Sequence, residues 1–495
     1  MIPESAGFAY TFLQDHAQLL QTLSIIIFAT GLFQNLLYII ELPAAWLELR
    51  RHSQVEDFDS PWQLLISDVA MPVSLLAPAY NEEAGIVQSV QSMLALQYSD
   101  FEVVVINDGS KDKTLDRLIQ AFDLIPVTRA CEQAIPHERI RNAYGSKSFP
   151  RLLVIDKENG GKADALNAGI NFARSPLFCV MDGDSLLEPS VLLRVVRPFM
   201  EDADRMVAVG GTIRIVNGCE VKNGRILRFA LPRRFLPLVQ TMEYVRAFLM
   251  SRLAMSRWGI LTIISGAFGI FRRNAALEVG GFTRGLVGED MELVIKIHRY
   301  HRERKKAYQM RYVPEPVCWT EAPETIEMLG KQRRRWHRGL LESFFIHFRL
   351  LLNPAYGRIG LASFGIMLVM DVLGPLLEIA GYILIPLFYF GGILSLSFLK
   401  AYLAVTFIFG IFISITSLIL EESELHRVPT AKDLALLALI AVAENFGYRQ
   451  FNNIWRMAGW WEYVCGATHW GEMKRKGFMA PEVKKFLKPQ ASVSK

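Results

Sequence analysis

The sequence predicts an α/β sheet domain inserted between membrane-spanning helices, with an amphipathic helix where the two meet. Three observations carry this. The 495-residue chain is 51% hydrophobic and has a formal charge of +5, and its longest apolar blocks lie near its two ends. The roughly three hundred residues between those blocks have an ordinary soluble composition. Within them, β-branched apolar runs alternate with segments of helical period, the pattern of strands covered by helices on both faces.

The first apolar block runs from Ala17 to Trp46 and contains one acid, Glu41, and no basic residue. A hydrocarbon core takes about 20 apolar residues as helix, so a transmembrane helix is predicted over 17–49. The block is too long for a signal-peptide core and lacks a basic start. Arg50 and Arg51 close it, and no lysine or arginine comes earlier. The positive-inside rule then puts the N-terminus outside and the domain in the cytoplasm, giving a multi-pass protein of the inner (plasma) membrane. Five cysteines without CxxC spacing fit a reducing compartment better than a disulfide framework or a zinc site.

The α/β domain is predicted over 70–320. PVSLLAPAYNEE is a short apolar run ending in a polar turn. After it, Ile86, Val90, Met93 and Leu94 recur at helical spacing. FEVVVINDGSKDKT is a buried strand ending at a turn, followed by a helix over about 111–122. RLLVIDKENGGKADALNAGINFA repeats the plan, and SPLFCVMDGDS is a strand ending in acids. Ligands of such sheets collect at the carboxyl ends of strands, and Asp108, Asp182 and Asp184 all stand there.

Each motif has a chemical and a structural reading. In MDGDS, Asp182 and Asp184 are two hard oxygen ligands suited to Mg²⁺ or Mn²⁺, ions that keep waters and bridge phosphates; the alternative is a solvated turn. In NDGS, Asp108 can accept hydrogen bonds from a base or ribose, or make an Asx turn that Ser110 would serve equally well. NGGKADALN offers glycines for close backbone approach and Lys162 as a phosphate-directed cation. GLVGEDMEL opens a helix with Glu289 and Asp290. Acids favour helix N-termini, whereas the chemical reading makes Asp290 a general base toward an acceptor hydroxyl.

An amphipathic interface helix is predicted over 323–353, with KQRRRWHRGL at 331–340. Lipid contact accounts for Phe344, Phe345 and Phe348. It does not account for Gln332, Arg335 and Trp336, which share one helix face. Arginine grips a diphosphate through paired charge-assisted bonds, and an indole offers a broad face to a sugar.

A transmembrane bundle is predicted over 359–456. Its first apolar region, Ile359 to Leu420, is interrupted by Asp371, Glu378 and Lys400, and a further run covers Leu434 to Ala443. Three helices are apparent. The basic tail, 457–495, belongs in the cytoplasm, and this needs an even number of crossings after Arg358. Three crossings within 359–420 would give four in all. Acids at membrane depth usually face a cavity or pair within the bundle.

In this order NDGS, GGKADALN, DGD, GED and the Q-x-x-R-W element of QRRRW resemble the motifs of membrane-embedded processive glycosyltransferases of family 2, the cellulose, chitin, hyaluronan and poly-N-acetylglucosamine synthases. The resemblance spans Pro72 to Trp336. It implies a GT-A fold with a Rossmann-like mixed sheet, a UDP-sugar donor such as UDP-glucose or UDP-N-acetylglucosamine, and inversion at the anomeric carbon. It implies donor contacts from Asp108, Lys162, Asp182, Gln332 and Arg335, a metal at Asp182 and Asp184, and Asp290 as the base. The growing polysaccharide would meet Ser265, Gly266, Glu289 and Trp336. Ser265 and Gly266 stand in ISGAFGIF, which departs from the Cys- or Pro-containing loops of the family. THWGEMKRKG is similar to a gating loop, with Trp470 and Lys474. Expected partners are the bilayer and accessory secretion subunits or further copies of the chain; nucleic acid is not expected. The rival function is transfer of one sugar to a lipid acceptor, since ceramide glucosyltransferases also carry Q-x-x-R-W.

Overall fold

The computed structural model describes residues 16–58, 70–183, 185–222, 224–425 and 430–466. Twelve strands follow in chain order: β1 Val73–Ala79, β2 Phe101–Asp108, β3 Leu124–Pro126, β4 Ile140–Ser146, β5 Leu152–Lys157, β6 Leu177–Met181, β7 Leu186–Leu187, β8 Met206–Ile215, β9 Glu220–Lys222, β10 Arg225–Arg228, β11 Phe268–Arg272 and β12 Gln309–Thr320. Ten of them form one mixed sheet in the order β3-β4-β5-β2-β1-β6-β11-β8-β12-β7, and β9 pairs with β10 alone. The central block β5-β2-β1-β6 is parallel, as the sequence pattern requires, while β11 runs antiparallel between β6 and β8.

Both faces of the central strands are apolar because both are covered. Leu75, Val103 and Val105 belong to the core on one side, and Leu76, Val104 and Ile106 to the core on the other. Alternate residues of a strand point to opposite faces, so a strand buried on both must be apolar throughout. The parallel pairing brings the carboxyl ends of β1, β2 and β6 to one edge. A functional site forms there.

Eight helices matter for that site: α1 Ala17–Phe58, α2 Lys162–Phe172, α3 Glu289–Glu303, α4 Ile326–Ile346, α5 Ile359–Phe390, α6 Leu396–Ser423, α7 Ala431–Ala443 and α8 Tyr448–Val464. Among the described residues, three stretches are long and apolar enough to cross a membrane: Ala17–Ser53 of α1, α5 and α6. The first extends the predicted 17–49 by a turn. Where the sequence admits three spans between 359 and 420, the structure forms two long helices, α5 and α6. Gly374 and Pro375 fall inside α5 without ending it, and the chain turns only at Gly391–Ser395, where Gly392 has φ +75° and the Ser395 hydroxyl caps α6. Helix α7 has 13 residues, about 20 Å at 1.5 Å per residue, short of a hydrocarbon core of about 30 Å. Two such helices after the domain are the even number that a basic tail on the domain's side calls for.

The interface helix is shorter than predicted. It starts at the Thr325 cap and ends at Ile346, after which the chain makes 3₁₀ turns at Phe348–Leu350 and Pro354–Tyr356. Phe345 and Phe348 are 37% and 52% exposed, and Phe345 stacks on Tyr463 of α8 at 5.4 Å. Phe344 does not face lipid: it is fully buried and stacks on Phe364 at 5.5 Å. A helical run that the sequence pattern left unassigned, Phe235–Tyr244, Val245–Ser251 and Arg252–Trp258, leaves the sheet between β10 and β11 and packs on α1 and α6.

Candidate active site

Lys162 is the first residue of α2, behind Gly161 at φ +87°. Its ammonium lies 2.7 Å from Asp182 at the end of β6, 3.3 Å from Glu289 at the start of α3, and 3.4 Å from the Gly266 carbonyl. One cation thus ties together four motifs far apart in sequence. Burial works against its charge, but Asp182, then Glu289 and Asp290, outweigh burial and hold its pKa above the usual lysine value. The cation read as directed at phosphate is therefore also the counter-ion of the acid cluster.

Asp290 accepts the Gly266 N–H on Oδ2 at 2.7 Å. A Cβ on Gly266 would stand 2.7 Å from Lys162 Nζ and 3.3 Å from that oxygen, so any side chain there would have to displace the lysine ammonium. Glu289 is buried, and burial first, with the Asp290 charge adding and Lys162 opposing, pushes its pKa up to about 7. The GED turn also meets α4 backbone to backbone. A Cβ on Gly288 would fall 2.6 Å from the Gly339 carbonyl oxygen, and this contact sets QRRRW beside the acids.

On α4, Gln332, Arg335 and Trp336 all line one cavity with Lys162, Asp182 and Asp290. Gln332 is buried, and its side-chain oxygen has no hydrogen-bond partner among the described residues, an acceptor that can take a donor. Trp336 is 41% exposed, with the Arg333 guanidinium 4.5 Å from its ring centroid. Arg333 pairs with Glu243 at 2.7 Å, and Glu243 also accepts the Tyr448 hydroxyl of α8 at 2.7 Å. That bracket behind the indole was not legible from the motif.

Asp108 is held from within the chain. Its buried carboxylate accepts Lys157 Nζ at 2.6 Å and Gly160 N–H at 3.0 Å on Oδ1, and Gly161 N–H at 2.8 Å and Asn159 Nδ2 at 3.2 Å on Oδ2. A carboxylate offers about four acceptor sites, and all are used within the chain. Nor does it cap the helix after NDGS. It folds the NGGK loop and itself lines the cavity, beside Tyr80, Asn81, Glu82 and Glu83 of the first strand's turn; the sequence pattern gave that turn no role. Ser265 and Gly266 also line the cavity. Asp184, Trp470 and Lys474 lie outside the described residues.

The cavity has a volume of about 1730 Å³ and does not stop at the acids. It continues between the long helices, past Thr30, Gln34 and Tyr38 of α1, Tyr382 of α5, and Thr406 of α6. Asp371, one of the acids at membrane depth, also lines it and is met by Arg456 of α8 at 3.2 Å. Glu444 is instead matched within the bundle by Arg246 at 2.5 Å.

A mixed sheet with acids gathered at its parallel strand ends, facing a cavity floored by an arginine and a tryptophan, defines a sugar-nucleotide transferase architecture. The chain matches the family model described as "Glycosyltransferase like family 2" over residues 71–339, just over half of its length, and it belongs to that family. It is 28% identical over 289 residues to the poly-β-1,6-N-acetyl-D-glucosamine synthase of Staphylococcus aureus (strain COL), which covers 57% of this chain and 59% of the relative. The synthase of Staphylococcus epidermidis is 28% identical over 268 residues, 54% of each chain. The matched region thus spans less than two thirds of the length of these relatives. Among solved structures, a mannosyltransferase from Pyrobaculum calidifontis in complex with GDP-Man and Mn²⁺ aligns over 90% of this chain and 99% of its own, with 18% identity and a TM-score of 0.49.

Proposed function

We propose that this protein is an inverting hexosyltransferase that builds a β-linked polysaccharide from a UDP-sugar, UDP-N-acetylglucosamine or UDP-glucose, on the cytoplasmic side of a membrane and passes the product across it. The observation that carries this reading is the single cavity joining Asp182, Asp290 and Trp336 to the polar side chains of α1, α5 and α6. A lipid acceptor would need no such path. The staphylococcal relatives are poly-β-1,6-N-acetyl-D-glucosamine synthases, which supports N-acetylglucosamine as the sugar and a polymer as the product.

The chemistry follows from the positions of the side chains. Trp336 holds and orients the acceptor, its indole against a sugar face, and Gln332 beside it faces the donor. Asp290, fixed by the Gly266 amide, takes the proton of the acceptor hydroxyl as its oxygen bonds to the anomeric carbon and the bond to UDP breaks. The departing diphosphate is held by Arg335 and Lys162. Asp182 presents a hard carboxylate oxygen to the cavity, a donor that fits Mg²⁺ or Mn²⁺, since such ions take one or two carboxylates alongside phosphates and water. The ion, held by Asp182 with Asp184, would neutralise charge on the diphosphate.

The test is incubation of the purified protein in lipid with UDP-sugars and Mg²⁺ or Mn²⁺, followed by sizing of the product. Long polymer is expected, with turnover lost in excess chelator. A product carrying one sugar on a lipid overturns the polymerase reading.

A further inference from the structure

A second, smaller cavity of about 310 Å³ lies away from the first and shares no lining residue with it. Four of its eight lining residues are arginines, Arg51, Arg257, Arg311 and Arg358, joined by Trp258, Gln309, Ser256 and Glu48. They come from four separate parts of the chain: the end of α1, the helix Arg252–Trp258, the start of β12, and the residue just before α5.

Two of the four charges are matched. Arg257 meets Glu48 at 3.2 Å, and Arg311 meets Glu201 at 2.7 Å. Arg51 and Arg358 have no carboxylate partner among the described residues, and Arg358 donates only to the Trp258 carbonyl at 3.3 Å. The pocket therefore keeps an excess of positive charge, arranged as planar forks that suit phosphate oxygens.

Its depth is fixed by the helices. Arg51 follows the apolar stretch of α1, and Arg358 immediately precedes α5. Both stand at the ends of those helices nearest the domain, where headgroups lie if α1 and α5 cross a bilayer. Trp258 lines the pocket beside them, and Trp46, one turn before Arg50, carries that guanidinium 3.9 Å over its ring; tryptophans are enriched at membrane interfaces. We propose that this pocket binds the phosphate of an anionic membrane lipid, seating its headgroup between the domain and the first and second long helices. The inference rests on the membrane reading above but not on the reaction: basic pockets at this level are suited to acidic headgroups.

The experiment uses the full chain in bilayer discs of phosphatidylcholine, with and without phosphatidylglycerol, and follows thermal unfolding. Phosphatidylglycerol is expected to raise the Tm of the wild type beyond phosphatidylcholine alone. The Arg51→Gln/Arg358→Gln double variant should lose that excess, its affinity for the anionic lipid falling roughly 25-fold, at about fivefold for each arginine. A control pair on the exposed hairpin, Arg225→Gln/Arg228→Gln, should keep it. Should the double variant fail to fold, Arg358→Lys carries the test, because it keeps the charge and loses the fork; it must show a smaller excess. An unchanged excess in the arginine variants, or an equal loss in the hairpin control, overturns the proposal. Glycerol 3-phosphate reproducing the full shift without lipid overturns the assignment to a headgroup. Release of the wild type from membranes by alkaline carbonate would instead refute the membrane reading, a failure separate from that of the pocket.

Discussion

Replacing Asp108 by Asn separates two roles that the sequence leaves open. In the structure the carboxylate accepts four hydrogen bonds, two on each oxygen. The amide keeps one oxygen and turns the other position into a donor. Two of the four chain donors then lose their acceptor. A buried donor left unsatisfied costs about 1–3 kcal/mol, so the upper range is about 6 kcal/mol. Lys157, however, keeps Asp164 at 2.5 Å and is not stranded as a bare buried charge. The lower half of the range applies, about 2–4 kcal/mol, and a domain of this size should lose roughly 4–16 °C in Tm. UDP affinity should fall with it, because the 159–161 loop carries Lys162 on its far side. The assay is thermal unfolding in detergent beside a UDP titration. A variant with wild-type Tm that has lost UDP binding would refute this reasoning and return Asp108 to a direct contact with the nucleoside.

Asp290→Asn should lower the rate of transfer by about 10²–10⁴-fold while UDP affinity stays near normal; substantial residual turnover would leave Asp290 as a helix cap. Trp336→Ala should shorten the polymer without weakening UDP binding, whereas Arg335→Ala should raise the Kd for UDP by roughly ten- to a hundredfold through lost charge-assisted bonds; if both variants stay active in detergent but detach from lipid, the KQRRRWHRGL segment is a membrane patch. Glu289 ionises near pH 7 because burial favours its neutral form. Its contribution to stability is therefore complete below the unfolded value of 4.5 and is lost as pH rises through about 7. The same ionisation places a new negative charge beside Lys162, so UDP affinity should fall across that window, and Glu289→Gln should abolish the pH dependence.

The alternation of strands and helices was legible because burial on both faces leaves an apolar run that no surface strand can carry. The acids at strand ends were legible for the same reason, as polar residues closing such runs. Periodicity cannot report what covers a face, so Phe344 looked lipid-facing until Phe364 was found stacked on it. It cannot report tertiary acceptors either. Asp108 belongs to a loop some 50 residues away, and Arg333 gains its place from Glu243 and Tyr448. The number of long helices was not legible from length alone. Sixty apolar residues admit three spans by arithmetic at about 20 each, but only one turn-forming sequence, around Gly391 and Gly392, interrupts them.

Transport of the product is the claim most exposed to direct measurement. Sealed inverted vesicles holding the wild-type chain would be given labelled UDP-N-acetylglucosamine and a divalent cation from outside, where the domain faces, and then a polysaccharide hydrolase. The expected result is labelled polymer inside the lumen, resistant to the hydrolase until detergent opens the vesicles. Polymer digested without detergent, or label found only as a single sugar on lipid, would contradict the reading of the cavity as a passage from Asp290 through α1, α5 and α6.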